Sequence, residues 1–337
     1  MDKLELIEIF RKYKSDSEIC HDLMPLRTRE ILLVAPIFDA FSLEQDSLFS
    51  EIMFGEYHQL NLSNAPRITS VSSKKEALQR LQERHFDLIF VMSSSSQTDF
   101  GDLSRSFKAV RQDIPLYLLL NDNAEVEAVI KRKQLQSHFN QIFVWKGHPG
   151  IFLAMVKSHE DIVNVNNDTN VGLVRVILLV ETSIRSYSRY LPLLYSELVK
   201  QTQRLIKEES LDEMKKILRM RARPKVLLAT TYSEAIRLFD LYKDFMLCVI
   251  TDTNLPGEEG RGEMEVGARL VRELRERKPD LPILIQTSNS DGANLSRDLK
   301  VSYINKVADN YQQELTHFFY SNLGFGDFIF RNSNGQE

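Results

Sequence analysis

The sequence predicts an α/β protein with two doubly wound parallel sheets, one in each half of the 337-residue chain. Two observations lead to this fold class. Short apolar runs typical of buried strands alternate with longer stretches of helical spacing, and the whole alternation occurs twice. Strands that alternate with helices form right-handed βαβ units, which place the strands parallel in one sheet.

The first half of the chain contains the first set of strand-like runs. They are Glu30 to Val34, Pro66 to Val71, Phe86 to Met92, Leu116 to Leu120 and Gln141 to Trp145. Helices are predicted between them, for example Lys74 to Arg84 and Asp102 to Arg111. We therefore expect one domain at residues 29–156, preceded by a helical extension at residues 1–28.

The second half repeats this arrangement with longer connections. Its strand-like runs are Arg175 to Val180, Phe245 to Thr251, Pro282 to Gln286 and Val301 to Asn305. We expect a linker at 157–170, which is either a helix or a tether, and a domain at 171–322 with an extended first helix or insertion at 184–222. At 323–337 we expect the start of a linker to a further module.

Each of these four runs is followed by a residue with a charged or hydroxyl-bearing side chain. Glu181, Asp252, Thr287 and Lys306 follow successive strands, and Asp252 precedes a turn at Pro256-Gly257. In an open α/β sheet, sites are built at the carboxyl ends of the strands. We therefore expect these four side chains to lie together.

This order of acid, aspartate, hydroxyl and lysine resembles the receiver domain of two-component response regulators. The resemblance implies two flavodoxin-like, receiver-type domains with five-stranded parallel sheets. It implies that Asp252 accepts a phosphoryl group from a histidine kinase or phosphotransfer protein. Thr287 and Lys306 would bind the phosphoryl group, and Tyr303, three residues before the lysine, would rotate inward behind Thr287.

The chemistry of an aspartyl phosphate explains why such residues occur together. A carboxylate nucleophile is assisted by a hard cation such as Mg²⁺, which prefers oxygen ligands. The resemblance assigns these ligands to Glu181, Asp252 and the main-chain carbonyl of Asn254. One departure reduces the expected metal affinity, because Thr182 stands where the family usually has a second acid.

The first half resembles a receiver that has lost its acids. Aligning the two halves by their strands places Ser93 over Asp252 and Ala35 over Glu181, whereas Lys146 stands where Lys306 does, with Phe143 three residues before it. This half is interpreted as a pseudo-receiver with a degenerate site at Ser93 and Lys146.

Two alternatives to a working receiver remain open. Both domains are pseudo-receivers in the first, which makes the chain a binding scaffold. The second is a phosphatase of the haloacid dehalogenase type, which needs a second aspartate two residues after the nucleophile; Asn254 occupies that position. We therefore expect a regulatory phosphoacceptor rather than an enzyme.

The end of the chain adds a second resemblance. A double receiver followed by Gly326-Asp327-Phe328 is similar to the amino-terminal part of bacterial proteins that continue into a phosphoenolpyruvate synthase or pyruvate phosphate dikinase-like module. The chain would then be the regulatory part of such an enzyme. In either case, the phosphorylated domain would act on a downstream domain or partner, and the surface at Gln312 to Phe319 would serve a homodimer.

Composition excludes several other classes. A formal charge of -4 gives no electrostatic reason to expect nucleic-acid binding. The two cysteines, Cys20 and Cys248, are too few for a zinc site or disulfide framework and suit a reducing cytoplasm. No apolar run approaches the ~20 residues of a membrane-spanning helix, so we expect a cytoplasmic protein without a membrane partner.

Overall fold

The computed structural model describes residues 22–35, 55, 65–93, 100–131, 137–208, 220–255, 263–289 and 291–323. These residues form an α/β protein with two five-stranded parallel sheets. They form two compact units. The first unit contains Arg27–Lys157 and Ile184–Ser196, and the second contains the other described residues.

The sheet of the first unit has the strand order β2-β1-β3-β4-β5. Its strands are β1 (Glu30–Val34), β2 (Arg67–Val71), β3 (Leu88–Met92), β4 (Leu116–Leu120) and β5 (Gln141–Val144). The helices between them are α1 (Lys74–Glu83), α2 (Phe100–Val110) and α3 (Asn123–Lys131). Every residue of β3 and β4 is buried, which explains why these strands are continuous apolar runs.

The sheet of the second unit has the equivalent order, β10-β9-β8-β6-β7. Its strands are β6 (Val176–Val180), β7 (Lys225–Ala229), β8 (Met246–Thr251), β9 (Ile283–Thr287) and β10 (Ser302–Asn305). The strand β7 is the one that the residue pattern did not single out. It forms the edge of the sheet beside β6.

Six further helices lie in the described part of the chain. They are α4 (Gly150–Gly172), α5 (Ile184–Glu208), α6 (Tyr232–Tyr242), α7 (Glu263–Arg277), α8 (Gly292–Leu299) and α9 (Tyr311–Asn322), with a 3₁₀ turn at Lys243–Phe245. At the start of α6, Thr231 accepts a hydrogen bond from the Glu234 amide and Glu234 accepts one from the Thr230 amide. The Thr231 side chain caps the helix, and the bond from Thr230 to Glu234 supports the turn before it, which explains why the helix begins there.

The segment predicted as a linker, residues 157–170, lies within α4. Its polar residues are the reason that it resembled a linker, yet Asp161, Asn164 and Asp168 are fully buried. Asn164 accepts a hydrogen bond from the Leu26 amide and donates one to the Leu26 carbonyl. Buried polar side chains are stable where such partners exist.

Two ion pairs join α4 to the start of β7 inside the second unit. Arg223 donates two hydrogen bonds to Asp161, at 2.7 and 3.0 Å, and Asp161 also accepts one from the Val226 amide. Lys225 forms an ion pair with Asp168 at 2.9 Å. Burial lowers the pKa of Lys225, and the two nearby aspartates oppose that shift.

The long connection after β6 was predicted as an extended helix or insertion at 184–222. Its helix is α5, and residues 209–219 lie outside the described chain. Within the first unit, Tyr187 of α5 donates a hydrogen bond to the Ile142 carbonyl, and Ser188 accepts one from the Val144 amide. This part of the helix therefore packs on the edge strand β5. No helix in the described ranges is long and apolar enough to cross a membrane.

Candidate functional site

The four polar residues predicted to lie together follow neighbouring strands of the second sheet. Glu181 comes directly after β6, Asp252 after β8 and Lys306 after β10, and Thr287 is the last residue of β9. Main-chain hydrogen bonds continue the sheet through them: the Asp252 amide donates to Val180 and the Lys306 amide to Thr287. The ends of the strands thus fix the positions of these residues.

The structure brings Glu181, Asp252 and Lys306 into direct contact. The ammonium group of Lys306 donates hydrogen bonds to Oε2 of Glu181 and to Oδ2 of Asp252. The other carboxylate oxygens accept main-chain hydrogen bonds, from the Ser183 amide at 3.0 Å and the Asn254 amide at 3.2 Å. Two carboxylates therefore share one cationic group.

Burial governs the electrostatics of this cluster. Glu181 is fully buried, and Asp252 and Lys306 are almost so. Desolvation raises the pKa of the Glu181 carboxyl; the charge of Lys306 opposes this shift, and the charge of Asp252 adds to it. A buried carboxylate pair of this kind needs a nearby cation to stay ionised.

Thr287 is held by neighbours that the sequence did not identify. Its Oγ1 accepts hydrogen bonds from Oγ1 of Thr253 at 2.8 Å and from the Asn289 amide at 3.2 Å. Thr253 is buried and directly follows Asp252. Its position after a candidate nucleophile was a usable signal, but a lone threonine there does not reveal which strand its side chain reaches.

The remaining residues assigned by resemblance lie close by. Tyr303 on β10 is half-buried and packs against the apolar core of the second unit. A Cβ atom at Gly292 would lie 2.3 Å from Cγ2 of Thr287 and 2.8 Å from Cε2 of Tyr303, so α8 begins against both side chains. Thr182 follows Glu181 and is half-buried.

The donor set fits a magnesium ion held mainly by water. Mg²⁺ is usually bound through one or two carboxylates and keeps several waters. Glu181 and Asp252 both contact one cationic group, the Lys306 ammonium, so the two carboxylates converge on a single position. Across the described ranges, no group of three or more His, Cys, Asp or Glu residues is placed to hold a metal.

The equivalent strand ends of the first unit hold a different cluster. Oγ of Ser93 donates to Oε2 of Glu125, which also accepts from the Asn121 amide at 2.8 Å. The Asn121 side chain donates to the Ser93 carbonyl at 2.8 Å. Lys146 is exposed, and no hydrogen bond or ion pair joins it to Ser93 within the part of the chain that the structure describes. The sequence pattern assigned Ser93 and Lys146 to one degenerate site but did not identify Glu125, which lies in the first turn of α3.

Replacing Glu125 with alanine should destabilise the first unit by about 1–3 kcal/mol, because the Ser93 hydroxyl and the Asn121 amide lose a shared acceptor. Urea unfolding followed by circular dichroism measures the change. The matched control is Glu127→Ala on the same helix, which removes an exposed ion pair with Arg185 and should cost less than about 1 kcal/mol. Equal losses in the two variants would show that Glu125 does not support the cluster.

Comparisons with known proteins do not assign a family to this chain. No model of a protein family matches it, and no curated protein matches it significantly. One similar solved structure is GanP, a glucose-galactose binding protein from Geobacillus stearothermophilus, at 7% sequence identity and a TM-score of 0.25, with 90% of this chain and 94% of that chain covered.

Proposed function

We propose that the second unit is a receiver-type phosphoacceptor domain in which Asp252 accepts a phosphoryl group. The observation that carries the proposal is the convergence of Glu181, Asp252 and Lys306 at the carboxyl ends of β6, β8 and β10. The strand order of the sheet supports it, because 2-1-3-4-5 is the flavodoxin-like order with its binding crevice at these ends.

Asp252 is the nucleophile of this reaction. One carboxylate oxygen attacks the phosphorus of the donor, a new O–P bond forms, and the bond to the leaving group breaks with its electron pair going to that group. Lys306 then balances the charge of the phosphoryl oxygens, and the hydroxyl of Thr287 donates a hydrogen bond to one of them. Tyr303 fills the space behind Thr287.

A magnesium ion, when bound, would neutralise part of the charge on the phosphoryl oxygens. Glu181, Asp252 and the main-chain carbonyl of Asn254 would hold it. Since Thr182 offers a hydroxyl where the family has a carboxylate, the affinity for Mg²⁺ should be lower than with two acids in that place.

The partners of this reaction are those that the resemblance to response regulators implies. The donor is a histidine kinase or a phosphotransfer protein, and the phosphorylated unit acts on an effector domain or partner, in the cytoplasm. The first unit takes the role of a pseudo-receiver, because Ser93 stands in the acceptor position and is hydrogen-bonded to Glu125. The chain as a whole is regulatory rather than enzymatic.

A double pseudo-receiver scaffold is the second candidate. It is favoured by Thr182 and by the close pairing of Lys306 with both carboxylates, which already balances much of their charge without a metal. In this case, the second unit would bind its partner through a fixed surface.

Incubation with Mg²⁺ and acetyl phosphate, followed by intact-mass measurement, tests the two candidates. We expect the wild type to gain one phosphoryl group, Asp252→Asn to gain none, and the matched control Asp280→Asn, which alters an exposed turn residue, to behave as the wild type. No gain at high donor and Mg²⁺ concentrations would favour the scaffold. A gain retained in Asp252→Asn would place the modification on another residue.

A further inference from the structure

The hydroxyl of Thr287 has both of its acceptor positions filled. A threonine hydroxyl accepts up to two hydrogen bonds and donates one. Here, the Thr253 hydroxyl and the Asn289 amide are the two donors, at 2.8 and 3.2 Å. Among the residues that the structure describes, no side chain or carbonyl accepts the Thr287 proton in return. With respect to these described residues, the Thr287 hydroxyl is therefore left with its O–H donor available.

The methyl group of Thr287 is restrained from another side. Because a Cβ at Gly292 would lie 2.3 Å from Cγ2 of Thr287, the glycine is needed to let the first turn of α8 lie against this methyl group. A rotation of Thr287 would have to move the methyl group past this turn and also break the bond from Thr253. The side chain is thus held in one rotamer by packing and hydrogen bonding together.

Thr253 itself is fixed by its surroundings. It is 1% exposed, and its main-chain carbonyl accepts a hydrogen bond from the Leu255 amide at 3.1 Å. A Cβ at Gly267 would lie 2.3 Å from that carbonyl oxygen, so α7 packs directly on the Thr253 backbone. Because Thr253 is held in place, its hydroxyl can fix the position of the Thr287 side chain.

We propose that Thr253 is a positioning residue: it fills one acceptor position of the Thr287 hydroxyl and so directs the Thr287 proton toward an anionic oxygen bound at Asp252. This inference rests on the proposed phosphoacceptor function and identifies a residue on which that function depends. Thr253 does not touch the phosphoryl group. It acts through Thr287, which donates to the anion.

The test compares phosphoryl uptake from acetyl phosphate in four variants of the full chain. Thr253→Val keeps the shape but removes the hydroxyl, and should slow uptake about 10-fold, the equivalent of one charge-assisted hydrogen bond. Thr253→Ser should restore the rate to within about twofold, because it returns the donor. Thr287→Val measures the full loss of rate when the Thr287 hydroxyl is absent. The double variant should be no slower than Thr287→Val, since Thr253 acts through Thr287.

Two results of this comparison would overturn the inference. One is a Thr253→Val rate equal to that of the wild type. The other is a double variant whose loss equals the sum of the two single losses, which would mean that Thr253 acts independently of Thr287.

A second measurement keeps the inference testable if the wild type takes up no phosphoryl group, an outcome that would contradict the proposed function alone. Scalar couplings to the Thr287 methyl group report its χ1 rotamer in the unmodified protein. We expect a single rotamer in the wild type and in Thr253→Ser, and averaging in Thr253→Val. Averaged couplings in the wild type would refute the positioning role even if Thr253→Val does not fold.

Discussion

Lys306→Met should lower the free energy of unfolding of the second unit by about 3–5 kcal/mol in metal-free buffer at neutral pH. The substitution keeps a long apolar stem but removes the ammonium group that both Glu181 and Asp252 contact. Breaking a buried ion pair by deleting one partner is strongly destabilising, because the remaining charges stay buried without compensation. Urea unfolding in the presence of a chelator measures this loss.

Two comparisons make this prediction specific. The matched control is Lys243→Met, at an exposed position, and should change stability by no more than about 0.5 kcal/mol. Adding Glu181→Gln to Lys306→Met should recover part of the loss, since one of the two uncompensated charges is then gone. A loss in Lys306→Met as small as in the control would contradict the buried ion pairs.

Lys306→Met also tests whether Glu181 and Asp252 can bind a metal cation. In Lys306→Met the two carboxylates lack their internal cation, so Mg²⁺ should stabilise the variant more than it stabilises the wild type, by the linkage of binding to folding. Equal stabilisation of both proteins by Mg²⁺ would argue that the ion does not bind between Glu181 and Asp252. This experiment does not depend on phosphorylation.

Asp161→Ala is the second substitution with a large expected effect, again about 3–5 kcal/mol on the second unit. It leaves the buried guanidinium of Arg223 without its carboxylate and the Val226 amide without an acceptor. Both groups lie at the start of β7, the edge strand beside β6. The loss should appear as a lower urea midpoint with an unchanged slope.

The chain offers an exposed aspartate–arginine pair as the control for this effect. Asp240→Ala removes the pair with Arg277, in which the side chains are 55% and 34% exposed, and exposed pairs contribute less than about 1 kcal/mol. The double variant Asp161→Leu with Arg223→Met should lose less than Asp161→Ala, because it leaves no uncompensated charge. Equal losses in Asp161→Ala and Asp240→Ala would mean that burial does not govern the pair.

These two clusters lie at opposite ends of the second sheet. The Asp161–Arg223 pair lies where β7 begins. The Glu181 amide donates a hydrogen bond to the carbonyl of Ala229, where β7 ends. The Asp161–Arg223 pair joins α4 to the sheet. The cluster of Glu181, Asp252 and Lys306 presents its carboxylates at the strand ends where binding sites form. We infer that the Asp161–Arg223 pair is structural, and only the cluster of Glu181, Asp252 and Lys306 enters the proposed reaction.

Local pattern was sufficient for most strands. The predicted bounds of β1 and β4 are those observed, and those of β2 and β5 differ by one residue at one end. Apart from β2, which contains Arg67, Thr69 and Ser70, these strands are mainly apolar runs bounded by polar or turn residues, so the residue pattern changes where burial changes. The alternation of strands and helices likewise determined the two parallel sheets, since a parallel connection needs a crossover.

Long-range contacts decided what the local pattern could not. Residues 157–170 resembled a linker because they are polar, but Asp161 is buried and forms an ion pair with Arg223, 62 positions away. Ser93 and Lys146 were assigned to one degenerate site, whereas the hydrogen-bond partner of Ser93 is Glu125, 32 positions along the chain. In both cases, the partner of the polar side chain is distant in the sequence, so the local pattern could not identify it.

The sequence by itself determined the order of strands and helices and which side chains follow the strand ends, because both depend on neighbours along the chain. Only the tertiary structure decided how those side chains are used. It placed Lys306 between Glu181 and Asp252, and it brought the Thr253 hydroxyl to Thr287, 34 residues further on. A hydrogen bond requires its two atoms within about 3 Å, and that distance is set by the packing of the whole sheet.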